Sequence, residues 1–214
     1  MRIYAQAALF ALLAVPAGAH RLDEYLIATL LSVGQNQLQA QVTLTPGVAV
    51  LPSILGAIDA DGDGILSAAE QRAYAERVLN DLSLRLDGKV LAPHLRSARF
   101  PDVADMKVGR GEIQLEITAA LPPGYGRRTL MLENRHQLAI AAYQVNSLVP
   151  SEHGIQIATQ TRSYTQSKYT LEYTQTSVDT AGPGNSVLAV GYLGAAAAFL
   201  LGRFARVRSR RRTS

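Results

Sequence analysis

The chain has 214 residues, with 21 Lys and Arg, 17 Asp and Glu, and no cysteine. The absence of cysteine excludes disulfide bonds, catalytic thiols and cysteine metal sites. Arg2 and six arginines near the C-terminus account for the positive net charge, whereas residues 20–185 carry 14 basic against 17 acidic side chains. A mildly acidic central region gives no indication of nucleic acid as a partner.

Residues 1–19 have the pattern of a secretory signal peptide. Arg2 precedes an apolar stretch at 8–15, and the small residues Ala17, Gly18 and Ala19 match a cleavage site. We therefore expect export across a membrane, with a mature chain that begins at His20.

Strict alternation of apolar and polar residues predicts half-buried strands at 37–45 and 112–119. Shorter runs of the same kind lie at 82–86, 129–132, 142–145, 155–158 and 169–173. Turn signals such as Asp87-Gly88 and the Pro-Pro-Gly sequence at 122–124 separate them. Many short strands with turns between them predict a mainly β domain over 20–178, an antiparallel β-sandwich.

Residues 59–70 read D-A-D-G-D-G-I-L-S-A-A-E, with oxygen-bearing side chains at positions 1, 3, 5, 9 and 12. This stretch resembles the calcium loop of the EF-hand family, in which about six to eight oxygens surround the ion and a glycine at position 6 permits a sharp turn. The resemblance implies Ca²⁺ as the cofactor, and it implies these ligands: the side chains of Asp59, Asp61 and Asp63, the main-chain carbonyl of Ile65, Ser67 through a water, and both carboxylate oxygens of Glu70.

Helices are expected on both sides of this loop, in an insertion at about 47–82 that follows the first hairpin. The exiting helix would present one apolar face, made of Tyr74, Ala75, Val78, Leu79 and Leu82. The entering helix is expected to be short, from Ser53 to Ile58, because prolines and glycines interrupt the preceding residues. The sequence has one such loop and only 3 Met, and calcium sensors expose a Met-rich groove. A structural calcium site is therefore the better interpretation.

An alternative interpretation concerns His20, because signal cleavage would make it the N-terminal residue. A terminal amine and imidazole can chelate copper, and a second imidazole from His94, His136 or His153 would complete a copper or nickel site. No spacing links these histidines, so we expect the other three to be surface or capping residues. No Ser/His/Asp arrangement marks a nucleophile, and we expect no enzymatic activity.

Residues 186–202 form a 17-residue apolar run without a charge. As a helix it would rise about 26 Å, close to the thickness of a bilayer core. Residues 203–214 contain six arginines, which favour the cytoplasmic side. The sequence thus predicts one transmembrane helix with a basic cytoplasmic tail, joined to the β domain by a flexible linker at 179–185. A processed sorting signal is an open alternative for the same helix.

Three motifs lie in the exported region: A-H-R-L-D-E-Y at 19–25, V-T-L-T-P-G at 42–47 and L-E-N-R-H at 132–136. With them, residues of about 20–175 resemble the extracytoplasmic N-terminal region of HupE/UreJ-type bacterial membrane proteins. Members of that family have several transmembrane helices linked to nickel or cobalt handling, whereas this sequence predicts one. We therefore expect a calcium-binding domain, anchored outside a bacterial cell membrane, with a structural or interaction role.

Overall fold

The structure is a computed structural model that describes residues 23–176. The elements of this region, in chain order, are β1 (Tyr25–Val33), β2 (Gln37–Pro46), α1 (Leu51–Ile58), α2 (Ala68–Asn80), β3 (Leu82–Leu86), β4 (Lys89–Val90), β5 (Pro93–Arg99), α3 (Val103–Lys107), β6 (Ile113–Ala120), β7 (Gly126–Asn134), β8 (Ala141–Ser147), β9 (Ile155–Arg162) and β10 (Lys168–Gln175). The predicted signal peptide, His20, the linker, the transmembrane helix at 186–202 and the basic tail lie outside the described residues. Among the described helices, none has the length and apolar character needed to cross a membrane.

The strands form two five-stranded sheets, which confirms the prediction of a mainly β fold. The first sheet has the order β5-β6-β2-β1-β8, and the second has the order β4-β3-β7-β10-β9. Along β1 and β2, every second residue is buried, as expected for strands with one face on the core. The hairpin between them pairs Tyr25 with Pro46 and Val33 with Leu38, with its turn at residues 34–36.

The expectation of a purely antiparallel arrangement is wrong for one pair of strands. Strand β8 runs parallel to β1, with Tyr25 opposite Ala141 and Leu31 opposite Ser147. The chain leaves β7 in the second sheet and enters β8 in the first, where the Tyr25 N–H donates to the Ile140 carbonyl at 2.8 Å. Alternation in sequence reports which face of a strand is buried and carries no information about the direction of its neighbour.

Buried side chains from both sheets and from the helices form one hydrophobic core. Helix α1 contributes Leu51, Ile54 and Ile58, which share one face. It begins two residues earlier than predicted because Pro52 occupies its first turn, where a missing N–H costs no helical hydrogen bond.

Helix α2 buries Tyr74, Ala75 and Val78, as its periodicity predicts, and Leu79 packs partly buried against the same core. Leu82, which was expected on this helical face, is instead the first residue of β3. The helix ends earlier because Asp81 forms its C-terminal cap. Helix α2 also lies beside β5 and α1, so it joins the loop at 59–70 to the sheets.

Candidate metal centre

Local backbone geometry shapes the segment 59–70, here called the metal loop. Its N-terminal end, Asp59, caps α1, and its C-terminal residues form the first turn of α2. Gly64, at the sixth position of the loop, has φ +80°. This left-handed conformation is strained for a residue with a Cβ, which explains why glycine is needed at the turn.

Three aspartates of the metal loop lie together. One carboxylate oxygen each from Asp59, Asp61 and Asp63 lies within 4.8 Å of those of the other two. Two unit charges at 4 Å repel by about 1 kcal/mol even in water, and no salt bridge within the described region offsets this cluster. A bound cation would remove that repulsion.

Each aspartate also uses one oxygen to hold the loop backbone. The N–H of Gly64 donates to Asp59 Oδ2 at 3.0 Å, and the N–H of Asp63 donates to Asp61 Oδ1 at 3.2 Å. The N–H of Ile65 donates to Asp63 Oδ1 at 2.7 Å. These bonds curl the backbone around the carboxylates.

The second oxygen of Asp59 provides the test of whether a metal fits. Asp59 Oδ1 is buried and has no hydrogen-bond partner among the described residues. A buried, unsatisfied carboxylate oxygen costs free energy unless a donor or a cation reaches it. Hard oxygen ligands of this kind suit Ca²⁺, so the residues present fit the ion that the sequence predicts.

Glu70 is a capping residue in this structure. Its Oε2 accepts from the Ser67 N–H at 2.9 Å and from the Ser67 hydroxyl at 2.8 Å, while the Glu70 N–H donates back to Ser67 Oγ. This is a capping box at the start of α2. Glu70 Oε1 accepts from the Ala60 N–H at 2.6 Å, which ties the helix to the beginning of the metal loop.

These hydrogen bonds favour the ionised carboxylate. The Ser67 hydroxyl, and then the N–H groups of Ser67 and Ala60, hold the pKa of Glu70 below its usual range. The group that the sequence predicts as a bidentate ligand is therefore an ionised carboxylate. Both of its oxygens serve the cap in this structure, and the cluster that lies within 4.8 Å contains the three aspartates without Glu70.

The two residues at positions 7 and 8 of the loop have different environments. The Ile65 side chain is 69 % exposed, so the residue contributes little to the core and would act through its main chain. Leu66 packs partly buried against the core, where it anchors the loop as predicted.

The three histidines of the alternative copper site differ in how far they are buried. His94 and His153 are exposed, whereas His136 is only 4 % exposed. The expectation that all three are surface or capping residues is therefore wrong for His136. Both of its ring nitrogens are engaged, Nε2 with the Tyr74 hydroxyl at 3.0 Å and Nδ1 with Asp81 Oδ2 at 2.8 Å. His136 would have to break this network to bind a metal.

This network, here called the tyrosine–histidine chain, connects Tyr25, Tyr74, His136 and Asp81, and sequence reasoning missed that these four residues meet. They come from β1, α2, the loop after β7 and the C-terminal cap of α2. No sequence spacing connects them. A histidine two residues after the end of the periodic strand β7 is a weak local signal.

No protein-family model, curated protein or solved structure matches this chain. The metal loop and the three motifs therefore carry the resemblances to the EF-hand and HupE/UreJ families by themselves.

Proposed function

We propose that this chain is a calcium-binding domain with a structural or interaction role at the extracytoplasmic face of a bacterial membrane. The observation that carries the proposal is the orphaned, buried Asp59 Oδ1 within a cluster of three aspartates. Asp59, Asp61, Asp63 and Glu70 would hold the ion, together with the Ile65 carbonyl and a water on Ser67. Bound calcium would supply positive charge that the cluster lacks.

The position of the loop supports a structural role. The loop joins α1 to α2, and both helices pack on the common core. An ion held here would fix the two helices relative to each other. For a site of the extracellular type we expect a Kd on the order of 10⁻⁴ to 10⁻³ M.

Titration calorimetry with Ca²⁺ tests the proposal most directly, and the structure suggests a sharper variant than removal of the whole side chain. Glu70→Gln keeps an acceptor for the capping box but loses the charge and one ligand oxygen. We expect it to weaken calcium binding on the order of tenfold or more, because ligand charge tunes such loops over several decades of Kd.

Glu76→Gln is the matched control, since Glu76 is exposed on the same helix and lies outside the metal loop. This variant should bind calcium as the unaltered chain does. Equal isotherms for the unaltered chain and for Glu70→Gln would remove Glu70 from the ligand set, and the absence of any calcium binding would refute the function.

The membrane location is a separate part of the proposal and rests on the pattern of residues 1–19 and 186–214. Protease added to intact spheroplasts should digest the β domain and spare a tag at the C-terminus. Loss of the tag together with the domain would reverse the proposed orientation.

A further inference from the structure

The tyrosine–histidine chain runs from the interior of the domain to its surface. Tyr25 is fully buried, and its hydroxyl lies 2.9 Å from that of Tyr74, which is 1 % exposed. The chain continues through His136 to Asp81, whose side chain is 45 % exposed. A surface cavity of about 340 Å³ opens beside Asp81 and is lined by Tyr74, Arg77, Asn80, Asp81, His136 and Gln137. Protons from solvent can therefore reach this end.

The hydrogen bonds of the chain have one direction when His136 is neutral. The Asp81 carboxylate only accepts, so the proton of His136 is on Nδ1 and Nε2 is an acceptor. The Tyr74 hydroxyl must then donate to Nε2, and the Tyr25 hydroxyl donates to the Tyr74 oxygen. Each hydroxyl hydrogen has an acceptor in this arrangement.

A second proton on His136 reverses this order. The imidazolium donates from both nitrogens, so the Tyr74 oxygen must accept from Nε2. Three hydrogens, on Nε2 and on the two hydroxyls, then share two contacts. If the Tyr74 hydroxyl turns towards Tyr25, the Tyr25 hydroxyl hydrogen has no acceptor among its contacts in the described region, and if it does not turn, the Tyr74 hydroxyl hydrogen has none. A donor stranded at a fully buried position is costly, because water cannot reach it.

We propose that His136 is a pH-sensitive latch: when its imidazole takes up a proton, the hydrogen-bond chain reverses and loosens α2, with the attached metal loop, from β1. Tyr74 is the residue through which the latch acts. It contacts His136 edge to face at 5.4 Å between ring centroids and Phe100 at 6.2 Å. The Arg77 guanidinium lies over the Tyr74 ring and also donates a hydrogen bond to the Ala57 carbonyl of α1. Arg77 therefore connects the position of Tyr74 on α2 to helix α1.

The charged and titratable groups around His136 set the pH range. Burial lowers the pKa of His136 below 6.5, Asp81 opposes this shift, and Arg77 adds to it. Tyr74, Tyr25 and Tyr143 face His136 from α2, β1 and β8, and burial raises the pKa of each, so all three stay neutral.

The sign of the pH effect follows from these shifts. Because the folded state binds fewer protons than the unfolded state, the stabilisation by neutral His136 is complete above about pH 6.5 and declines as the pH falls towards the folded pKa. Each unit between the two pKa values corresponds to about a tenfold loss in the folding equilibrium constant.

The experiment measures unfolding midpoints of the full chain in detergent between about pH 7.5 and about pH 5, with a chelator present. The chelator makes the result independent of the proposed calcium site, and histidine is the side chain that ordinarily titrates in this range. We expect the midpoint of the unaltered chain to fall with pH and that of His136→Gln to stay nearly level. His94→Gln and His153→Gln, at exposed positions, are controls that should follow the unaltered chain. Equal slopes for the unaltered chain and His136→Gln would overturn the latch.

Two further measurements keep the proposal testable if His136→Gln does not fold. The imidazole resonances of His136 in the unaltered chain should titrate below pH 6.5, and Asp81→Asn should lower that midpoint further because the carboxylate favours the imidazolium. Hydrogen exchange, corrected for its intrinsic pH dependence, should show α2 losing protection at low pH before the second sheet does. Uniform loss of protection, or a titration midpoint above pH 6.5, would refute the latch.

Discussion

The metal loop and the tyrosine–histidine chain differ in how their polar groups are brought together. The loop collects its carboxylates within twelve consecutive residues, and Asp61 and Asp63 are exposed. The tyrosine–histidine chain consists of four side chains from positions between Tyr25 and His136 in the sequence, and three of them are buried. Local spacing creates the first arrangement, and only the completed fold creates the second.

This difference determines how much a lost hydrogen bond costs in each region. Water replaces a lost hydrogen bond in an exposed loop, so such bonds contribute little to stability. When a hydrogen bond of the buried tyrosine–histidine chain is lost, the remaining polar group has neither a protein partner nor water. Its lost hydration is then not compensated. Substitutions in the tyrosine–histidine chain should therefore lower the free energy of unfolding more than substitutions in the metal loop.

The largest effect is expected from Tyr74→Phe. This change leaves the Tyr25 hydroxyl and His136 Nε2 without partners, and each stranded group costs about 1 to 3 kcal/mol, so the free energy of unfolding should fall by about 2 to 6 kcal/mol. Denaturant unfolding at about pH 7.5 measures it. Tyr164→Phe is the control, since that side chain is fully exposed, and it should change little. Equal costs for the two variants would erase the distinction between the regions.

Calcium should have the next largest effect. A ligand that binds only the folded state stabilises it by RT ln(1 + [Ca²⁺]/Kd), about 1.4 kcal/mol at a tenfold excess over Kd. Thermal unfolding with calcium and with chelator should show this difference. Asp61→Asn, which lowers the charge of the cluster, should reduce it. Identical melting temperatures at millimolar calcium would mean that the loop does not bind the ion.

Ser67→Ala should have a smaller effect. It removes the hydroxyl that accepts from the Glu70 N–H, and loss of such a cap costs about 0.5 to 2 kcal/mol. The same loss is expected in chelator and in calcium if Ser67 serves only as a cap. A larger loss in calcium would assign Ser67 a role in binding the ion as well.

Much of the fold could be predicted because its strands alternate clearly. Each of the seven predicted runs falls on a strand of the structure, β2, β3, β6, β7, β8, β9 and β10, and only the run at 112–119 begins outside its strand, by one residue. Strand β1 has no alternating run in the sequence because its outward positions include Leu26, Ala28 and Leu30, which hide the period of two. Strand β5 escaped prediction because a bulge between Leu95 and Ser97 breaks its alternation.

The two candidate sites likewise differ in how much of them the sequence predicts. The positions of the metal-loop carboxylates follow from their spacing alone, and the structure brings Asp59, Asp61 and Asp63 together. The hydrogen bonds of Glu70 could be anticipated in part, since Ser67 and Glu70 have the spacing of a capping box. The burial of His136 could not, because its partners Tyr74 and Asp81 reach it only through tertiary packing.

The smallest expected effect concerns the acid range. Because the folded pKa of Glu70 lies below its ordinary value of 4.5, this group binds fewer protons in the folded state. Its stabilisation is therefore present above about pH 4.5 and is lost as the pH falls through the folded pKa. In chelator, the difference in unfolding midpoint between the unaltered chain and Glu70→Gln should shrink with falling pH, while Glu76→Gln, the exposed control, should show no such trend. A constant offset at every pH would contradict this assignment.

With calcium present the loss of stability should move to lower pH if Glu70 is a ligand, because the metal and the proton compete for the same carboxylate. An unmoved curve would restrict Glu70 to its capping role and would leave the three aspartates as the acidic ligands of the site.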